Sequence, residues 1–492
     1  MTHSVAMVLI ALAILLLLYA LLIVCLILAK RKQKQEILLN KDSYLIVFAS
    51  QSGQAEKYAK QTARQLQEVG ENVSMVDIQF LDRPQLLQAT KVLWIVSTYG
   101  EGDAPDTARS FIKNVFSQSS LDLSHQSYAI LALGDKRYAN FCQFGQALNQ
   151  YLQQHQAKAW FDMVFVDHLK QTDLNLWTRH LEQITQQQFT AVEPEQNWQQ
   201  FILKSRVCLN TGSQGNPIYQ IQLSYAENLS WSSGDILEVQ CGNNAQDIQN
   251  FLDTQQQIAD QRILPCLEFK NLRQIPTQLA NESFMDWIQR FDDLAVREYS
   301  IASLPEQGMM ELVVRQEKTA TGLGLGSGWL TEYAMLGQKI LAKIHSNPAF
   351  HLQPSHQALI LIGNGTGIAG LVAHLRQRQQ WNERQNWLIF GERQQQFDHL
   401  YQDQIQNCQA QGFLAEVDYA FSRDQAEKIY VQHILQQKSE LLLQWIESGA
   451  AIYVCGSLKG MAQEVEQTLL TLLGAEKLEQ LRIEGRYQRD VY

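Results

Sequence analysis

The sequence predicts an α/β chain with a β-barrel in its middle: a membrane-spanning helix, a doubly wound parallel sheet, an antiparallel barrel and a second α/β sheet. Three observations predict it. A charge-free apolar stretch occupies Val5 to Ala29. Short apolar runs alternate with helical periodicity after residue 42 and again from Ala358, the pattern of parallel strands joined by helices. Between them, from Phe201 to about Ile344, short β runs such as Tyr219–Leu223 and Asp235–Gln240 are separated by turns, as an antiparallel barrel requires.

The N-terminal stretch comes first. As a helix it would be roughly 37 Å long, enough to span a bilayer with some tilt. A cleavable signal peptide would need a basic segment before a shorter apolar core. Here the basic residues Lys30, Arg31, Lys32 and Lys34 follow the core. The positive-inside rule then places the N-terminus outside and the catalytic domains on the cytoplasmic side of a single-pass anchor in membrane lipid.

Composition narrows the class of the rest. A length of 492 residues suits about three domains. With 46% hydrophobic and 18% charged residues the chain is globular, and a net charge of −10 argues against nucleic acid and for a basic partner. The seven cysteines are odd in number, widely spaced and without a C-x-x-C pair, so neither a disulfide framework nor a zinc site is indicated.

Strand runs are expected at Ser43–Ala49, Val73–Val76, Lys91–Val96, Tyr128–Leu133 and Trp160–Val166, with a helix over Gln54–Val69 that stops at Gly70. In a doubly wound sheet, ligands sit at the carboxyl ends of the strands. The first run opens into Ser50, Gln51, Ser52, Gly53, Gln54 and Ala55, hydroxyls and N–H groups at a helix N-terminus that form an anion site. The loop lacks the Lys of a P-loop, which disfavours a nucleoside triphosphate. A flavin monophosphate fits, and so does an ordinary capped turn. Two further strand ends favour the flavin. Ser97, Thr98, Tyr99, Gly100 and Gly102 follow the third run, and Leu133, Gly134, Asp135, Tyr138 and Phe141 follow the fourth. Glycines let the backbone approach a flat ring, which Tyr99 and Tyr138 would sandwich. The three loops resemble those of the flavodoxin family, over about residues 42–185.

A Gln-rich linker, 186–200, leads into the barrel, about 201–350, which contains a more helical and polar insert over about 243–293. Arg297, Tyr299 and Ser300 resemble the R-x-Y-S motif of ferredoxin–NADP reductase-like barrels. The resemblance implies Arg297 on the FAD pyrophosphate, Tyr299 on one flavin face and Ser300 near the flavin N5. Gly324, Leu325, Gly326 and Ser327 resemble the same family's second pyrophosphate loop. An ordinary strand and a flexible surface loop are the plainer alternatives.

In the last domain, 351–492, the strand Ala358–Ile362 enters Gly363-Asn364-Gly365-Thr366-Gly367, a strand–glycine loop–helix arrangement for a dinucleotide pyrophosphate. Related families carry prolines where this chain has Asn364 and Gly370. Ser422, Arg423, Lys428, Tyr430 and Gln432 resemble a pocket for the 2′-phosphate of NADPH, with Arg393 adding a phosphate contact; a solvated basic turn is the alternative. Cys455 ends the last apolar run before Gly456. Asp490 would polarise it, and Tyr492 at the chain end would cover the second flavin face, the alternative being an edge strand that packs one more ring.

The order of domains looks like the diflavin reductases, which include NADPH–cytochrome P450 reductase and the NADPH sulfite reductase flavoprotein, over about residues 42–492. The resemblance implies NADPH, FAD and FMN as cofactors, hydride transfer beside Ser300, Cys455 and Asp490, and a one-electron acceptor protein containing haem. A membrane-tethered reductase for ferric chelates, quinones or other small acceptors is a second reading, and a degenerate flavoprotein scaffold or NADPH sensor a third. The insert is much shorter than the helical connecting domain of those relatives.

Overall fold

In the computed structural model, the structure describes residues 43–50, 53–98, 102–116, 121–136, 140–167, 170–189, 198–226, 229–258, 260–319, 322–356 and 358–492. They divide into two compact units with the boundary after Val192. The segment expected to anchor the chain, 1–41, lies outside the described residues. The expected membrane localisation is corrected: among the described residues no helix is long and apolar enough to cross a membrane.

Six successive apolar residues make up β1, Tyr44–Ala49, and all six are buried, because helices cover both faces of the sheet they enter. Among the described residues that sheet has six strands, every pair parallel. It places β1 between β2 (Val73–Asp77) and β3 (Lys91–Ser97), followed by β4 (Ser127–Gly134), with β5 (Lys158–Ala159) and β6 (Val164–Asp167) both on β4. The order 2-1-3-4 reverses direction between β1 and β3, which opens a crevice at their carboxyl ends. The core splits by face: Leu45, Val47, Trp94 and Ile130 pack on one side, Ile46, Phe48, Leu93 and Leu131 on the other. Each such side chain contributes roughly 2 kcal/mol by leaving water.

Of the fifth expected run only the end, from Val164, is strand. The chain turns through Trp160–Met163, where Trp160 packs against Tyr44 (ring centroids 5.8 Å apart) and Phe161 against Trp177 (5.8 Å). Those rings are apolar without being strand.

In the second unit the alternating runs form β7 (Gln199–Cys208), β8 (Ile218–Ser224), β9 (Ile236–Val239), β10 (Arg297–Ser300), β11 (Met310–Arg315) and β14 (Lys339–His345), in the order β10-β9-β14-β7-β8-β11. A bridge from Ile301 to Leu312 joins the two ends of that order and closes the barrel. The small hairpin β12–β13 (Lys318–Thr319, Gly322–Leu323) stands apart. Three short helices, Ala245–Thr254, Ile263–Glu268 and Phe284–Gln289, make up the insert and pack around Phe251, Trp287 and Phe291.

The last sheet is parallel throughout, in the order β17-β16-β15-β18-β19: Glu416–Phe421, Gln385–Glu392, Ala358–Asn364, Ala451–Gly456 and Tyr487–Val491. Three side-chain locks bind it to the barrel. Arg376 donates to the Ala302 carbonyl (2.6 Å) and to Glu311 (3.0 Å). Asp398 accepts from Asn210 (3.0 Å) and Ser213 (2.9 Å). Arg315 pairs with Glu392 at 2.7 Å.

Candidate functional site

The carboxyl ends of β1, β3 and β4 are neighbours, so the three loops predicted from sequence converge. Ser50 Oγ accepts the Ala55 N–H at 3.1 Å, tying the strand end to the helix Gln54–Glu68. Ser97 Oγ donates to the Ala49 carbonyl at 3.1 Å, and Thr98 Oγ1 accepts the Phe144 N–H at 3.3 Å. Gly102 has φ +128°, and a Cβ there would sit 2.7 Å from Asn140 Cβ, so the third and fourth loops touch where only glycine fits. Leu133 is buried at the end of β4, Asp135 follows the strand, and Phe141 stacks on Phe165 at 6.0 Å. Gln51, Ser52, Tyr99, Gly100 and Tyr138 lie outside the described residues.

In the second unit Ser300 ends β10, and its hydroxyl donates to Asp490 Oδ2 at 2.7 Å. Cys455 and Asp490 are register partners on β18 and β19, and the Cys455 thiol donates to the same oxygen at 3.8 Å. The three residues named from sequence therefore meet on one carboxylate oxygen. Burial raises the Asp490 pKa, opposed by the Ser300 and Cys455 hydrogen bonds. Burial, then the neighbouring Asp490, pushes the Cys455 thiol well above its ordinary value, so it stays neutral.

The barrel motif and its glycine loop also meet. Gly324 heads a short helix from Leu325, and Ser327 Oγ accepts the Glu317 N–H at 3.0 Å. A Cβ on Gly326 would collide with Arg297 and sit 2.7 Å from the Tyr299 hydroxyl. That close approach sets both motifs against one space. The Arg297 guanidinium donates to the Val296 carbonyl at 2.9 Å, leaving further donors. Burial raises the Tyr299 phenol well above its ordinary pKa.

A cleft of about 910 Å³ opens along the carboxyl edge of the last sheet. Gly365, Thr366, Arg393, Ser422, Arg423, Tyr430, Gln432 and Tyr492 line it; Lys428 and the buried Cys455 do not. The Arg423 N–H donates to the Arg393 carbonyl at 2.8 Å, which sets the two arginines side by side. Ser422 Oγ donates to the Glu392 carbonyl at 3.3 Å. Gln432 Oε1, buried in the wall, has no hydrogen-bond partner among the described residues. Gly367 is pressed against β18: a Cβ there would collide with the Cys455 carbonyl oxygen. Asn364, where related families have proline, accepts the Ser457 N–H on Oδ1 at 3.0 Å, so a side chain stitches the ends of β15 and β18 together.

Arg315, Glu392 and Asn216 line the cleft and were not expected from sequence. Glu392 ends β16 two residues beyond the apolar run, and Arg315 ends β11, positions at strand ends that could have marked them. Burial raises the Glu392 pKa against the lowering effect of Arg315.

Residues 46–177 match the family model described as Flavodoxin, and residues 361–467 the one described as Oxidoreductase NAD-binding domain. The two matches, with the relatives below, support a diflavin reductase family of oxidoreductases. Relatives similar to it along their length carry the name sulfite reductase [NADPH] flavoprotein alpha-component. That of Mannheimia succiniciproducens is 29% identical, covering 91% of this chain and 89% of the relative. One from Vibrio cholerae is 28% identical (91% and 87%), and one from Neisseria meningitidis serogroup B is 28% identical (92% and 89%). The matched domains and relatives support FMN, FAD and a nicotinamide dinucleotide as the cofactors. The residues present fit them: a hydroxyl-capped loop at a switch point, glycines where the backbone must be approached, and paired arginines in a cleft of dinucleotide size.

Proposed function

We propose that this diflavin reductase relays electrons from NADPH through FAD and FMN to an external one-electron acceptor, a haem protein. The observation that carries the reading is the convergence of Ser300, Cys455 and Asp490 beneath the ring-bearing chain end, at the seam of barrel and nucleotide sheet. When bound, the two flavins supply the conversion of a two-electron hydride into single electrons.

The rest falls to the chain. Arg423, Arg393 and Ser422 receive the 2′-phosphate, where an NAD site would put a carboxylate on the ribose. Gly365, Thr366 and Gly367 present the helix N-terminus to the diphosphate. Arg297 with the loop Gly324–Ser327 holds the FAD pyrophosphate, and Tyr299 and Tyr492 take the two ring faces. Ser300 keeps its hydroxyl proton on Asp490, which leaves its lone pairs to accept a hydrogen bond near the flavin N5. The Asp490 carboxylate offsets positive charge on the oxidised nicotinamide, and the neutral Cys455 thiol adds no competing charge. In the first unit, Ser50 and Ser97 with their neighbours in the three loops would hold the FMN phosphate and ring, with Tyr99 and Tyr138 as the residues that would flank the ring.

The test is the purified chain with its bound FMN and FAD quantified and NADPH-driven reduction of cytochrome c followed. One of each flavin with turnover is expected; FAD without FMN, or no turnover, refutes the relay.

A further inference from the structure

Arg393 follows β16 and lines the nucleotide cleft, yet part of what holds it comes from the barrel. On its own sheet, its N–H donates to Glu392 Oε2 at 3.0 Å and its carbonyl accepts the Arg423 N–H at 2.8 Å. From the barrel, the hairpin tip between β7 and β8 reaches its side chain. Gly215 in that tip lies against the arginine stem: a Cβ there would sit 3.1 Å from Arg393 Nε and 3.2 Å from Cδ. Both are closer than ordinary van der Waals contact, so a side chain at 215 would push the guanidinium aside.

The tip is in turn fastened to the residue after Arg393. Asp398 is 1% exposed, and its carboxylate is the hub. Its Oδ1 accepts from Asn210 Nδ2 at 3.0 Å, and its Oδ2 accepts from Ser213 Oγ at 2.9 Å and from the Gln394 N–H at 3.0 Å. The Gln214 N–H donates to Gln394 Oε1 at 3.2 Å. Asn210 also shapes the tip, donating to the Asn216 carbonyl at 3.2 Å and accepting the Ile218 N–H at 2.7 Å. Only a carboxylate accepts at both oxygens; an amide in its place would turn an NH2 toward Asn210 or toward Gln394, a donor against a donor. Asp398 does not itself line the cleft, so its effect on a ligand passes through Arg393.

We propose that the β7–β8 hairpin tip determines nucleotide specificity: Asp398, as a positioning residue, and Gly215 hold Arg393 where it receives the 2′-phosphate. A guanidinium already fixed gives up little rotamer freedom when the anion arrives. Discrimination at the 2′ position therefore depends on the barrel as well as on the nucleotide sheet. The inference rests on the nucleotide-site reading given above.

Calorimetry on the full chain with both flavins bound tests it with two probes, 2′-phospho-ADP-ribose and ADP-ribose, which differ only in the 2′-phosphate. Gly215→Val acts at the arginine stem and leaves the Asp398 carboxylate itself unaltered. It is expected to weaken 2′-phospho-ADP-ribose about tenfold, the size of one charge-assisted hydrogen bond, and to leave ADP-ribose unchanged. Asp398→Asn is expected to weaken 2′-phospho-ADP-ribose about threefold, again without effect on ADP-ribose. Neither substitution costs anything further beside Arg393→Ala, because all three act through one guanidinium. In turnover both raise the KM for NADPH and leave kcat unchanged. Unchanged affinities in both variants, equal loss of the two probes, a further loss beside Arg393→Ala, or a fall in kcat at unchanged KM overturns the positioning role while the nucleotide site stands. Equal binding of the two probes by the unaltered chain overturns the 2′-phosphate site and the positioning together.

Discussion

The two parallel sheets of this molecule build their sites in different ways. In the first unit the residues at the crevice reach backbone groups on the neighbouring strand or helix: Ser50 the Ala55 amide, Ser97 the Ala49 carbonyl, Thr98 the Phe144 amide. Every one of these contacts lies inside one sheet and its own helices. In the second unit the site depends on side chains from two folds. Ser300 and Asp490 are 190 residues apart, and Arg315 and Glu392 are 77 apart. The difference follows the chemistry to be held. A phosphate and a flat ring need neutral donors and room. A charged dinucleotide laid against a second flavin needs two surfaces locked in one geometry, and buried charge supplies the lock. Such pairs add little net stability, yet removing one partner strands the other in a poorly solvated place.

The sharpest way to break this comparison is Asp490→Ala. It removes the acceptor of the Ser300 hydroxyl and the charge beside Cys455. NADPH-driven reduction of cytochrome c should fall about 100-fold, the size of losing one preorganised electrostatic group, while both flavins stay bound. Flavins photoreduced with EDTA before cytochrome c is added bypass the hydride step, and the rate of electron transfer from them should be unchanged. Equal loss by both routes would mean that Asp490 supports the fold and not the hydride step.

The same contrast decides what the sequence could show. Contiguous loops at strand ends were legible: Ser50 to Ala55, Ser97 to Gly102 and Gly363 to Gly367 each announce a strand, a glycine turn and a helix in one stretch. Ser300, Cys455 and Asp490 were named from sequence, but nothing in the sequence says that all three share one carboxylate oxygen. Arg315 and Glu392 were missed because each looks like an ordinary charged strand end until the partner fold arrives. Asn364 was visible as a departure from proline, and its bond to Ser457 shows how the loop is held without one. Lys428 was expected through the resemblance of its segment to a 2′-phosphate pocket, and it does not line the cleft. The strand expected at Trp160–Val166 forms only from Val164, because periodicity registers that rings are buried and not whether the chain turns beneath them.

Acid should separate the two units in opposite directions. His374 is fully buried in the second unit between Phe350 and Tyr453, with neither ring nitrogen partnered among the described residues. Burial, then nearby His351, lowers its pKa to about 3. The unfolded chain takes up a proton near pH 6.5 and the folded unit does not, so stability present above that pH is lost as pH falls. Between pH 7 and pH 5 His374 should account for about 2 kcal/mol of the loss, His356, lowered to about 4 by burial, adding its own share, and His374→Leu should remove the His374 share alone, measured by urea unfolding at both pH values. In the first unit Asp77 runs the other way. Burial, opposed by the Gln79 amide, raises it to about 6, so the folded unit binds the proton more tightly and gains stability as pH falls below that value. An unfolding transition of the second unit that ignores pH between 7 and 5 would show that His374 finds a proton-accepting partner in solution.

The smallest expected effect belongs to the first unit's neutral contacts. Ser50 Oγ satisfies one N–H at the start of a 15-residue helix, where four such groups lack helical partners. Ser50→Ala should cost about 1 kcal/mol of first-unit stability, the usual worth of a helix-capping hydroxyl. The proposed function gives the same hydroxyl a place at the anion site, so FMN retention through gel filtration should fall about fivefold while FAD retention and NADPH-driven flavin reduction in the second unit stay as they were. A loss of FAD along with FMN would mean that the two sites are not built independently, and the contrast between neutral loops and charged locks would then describe geometry without describing energy.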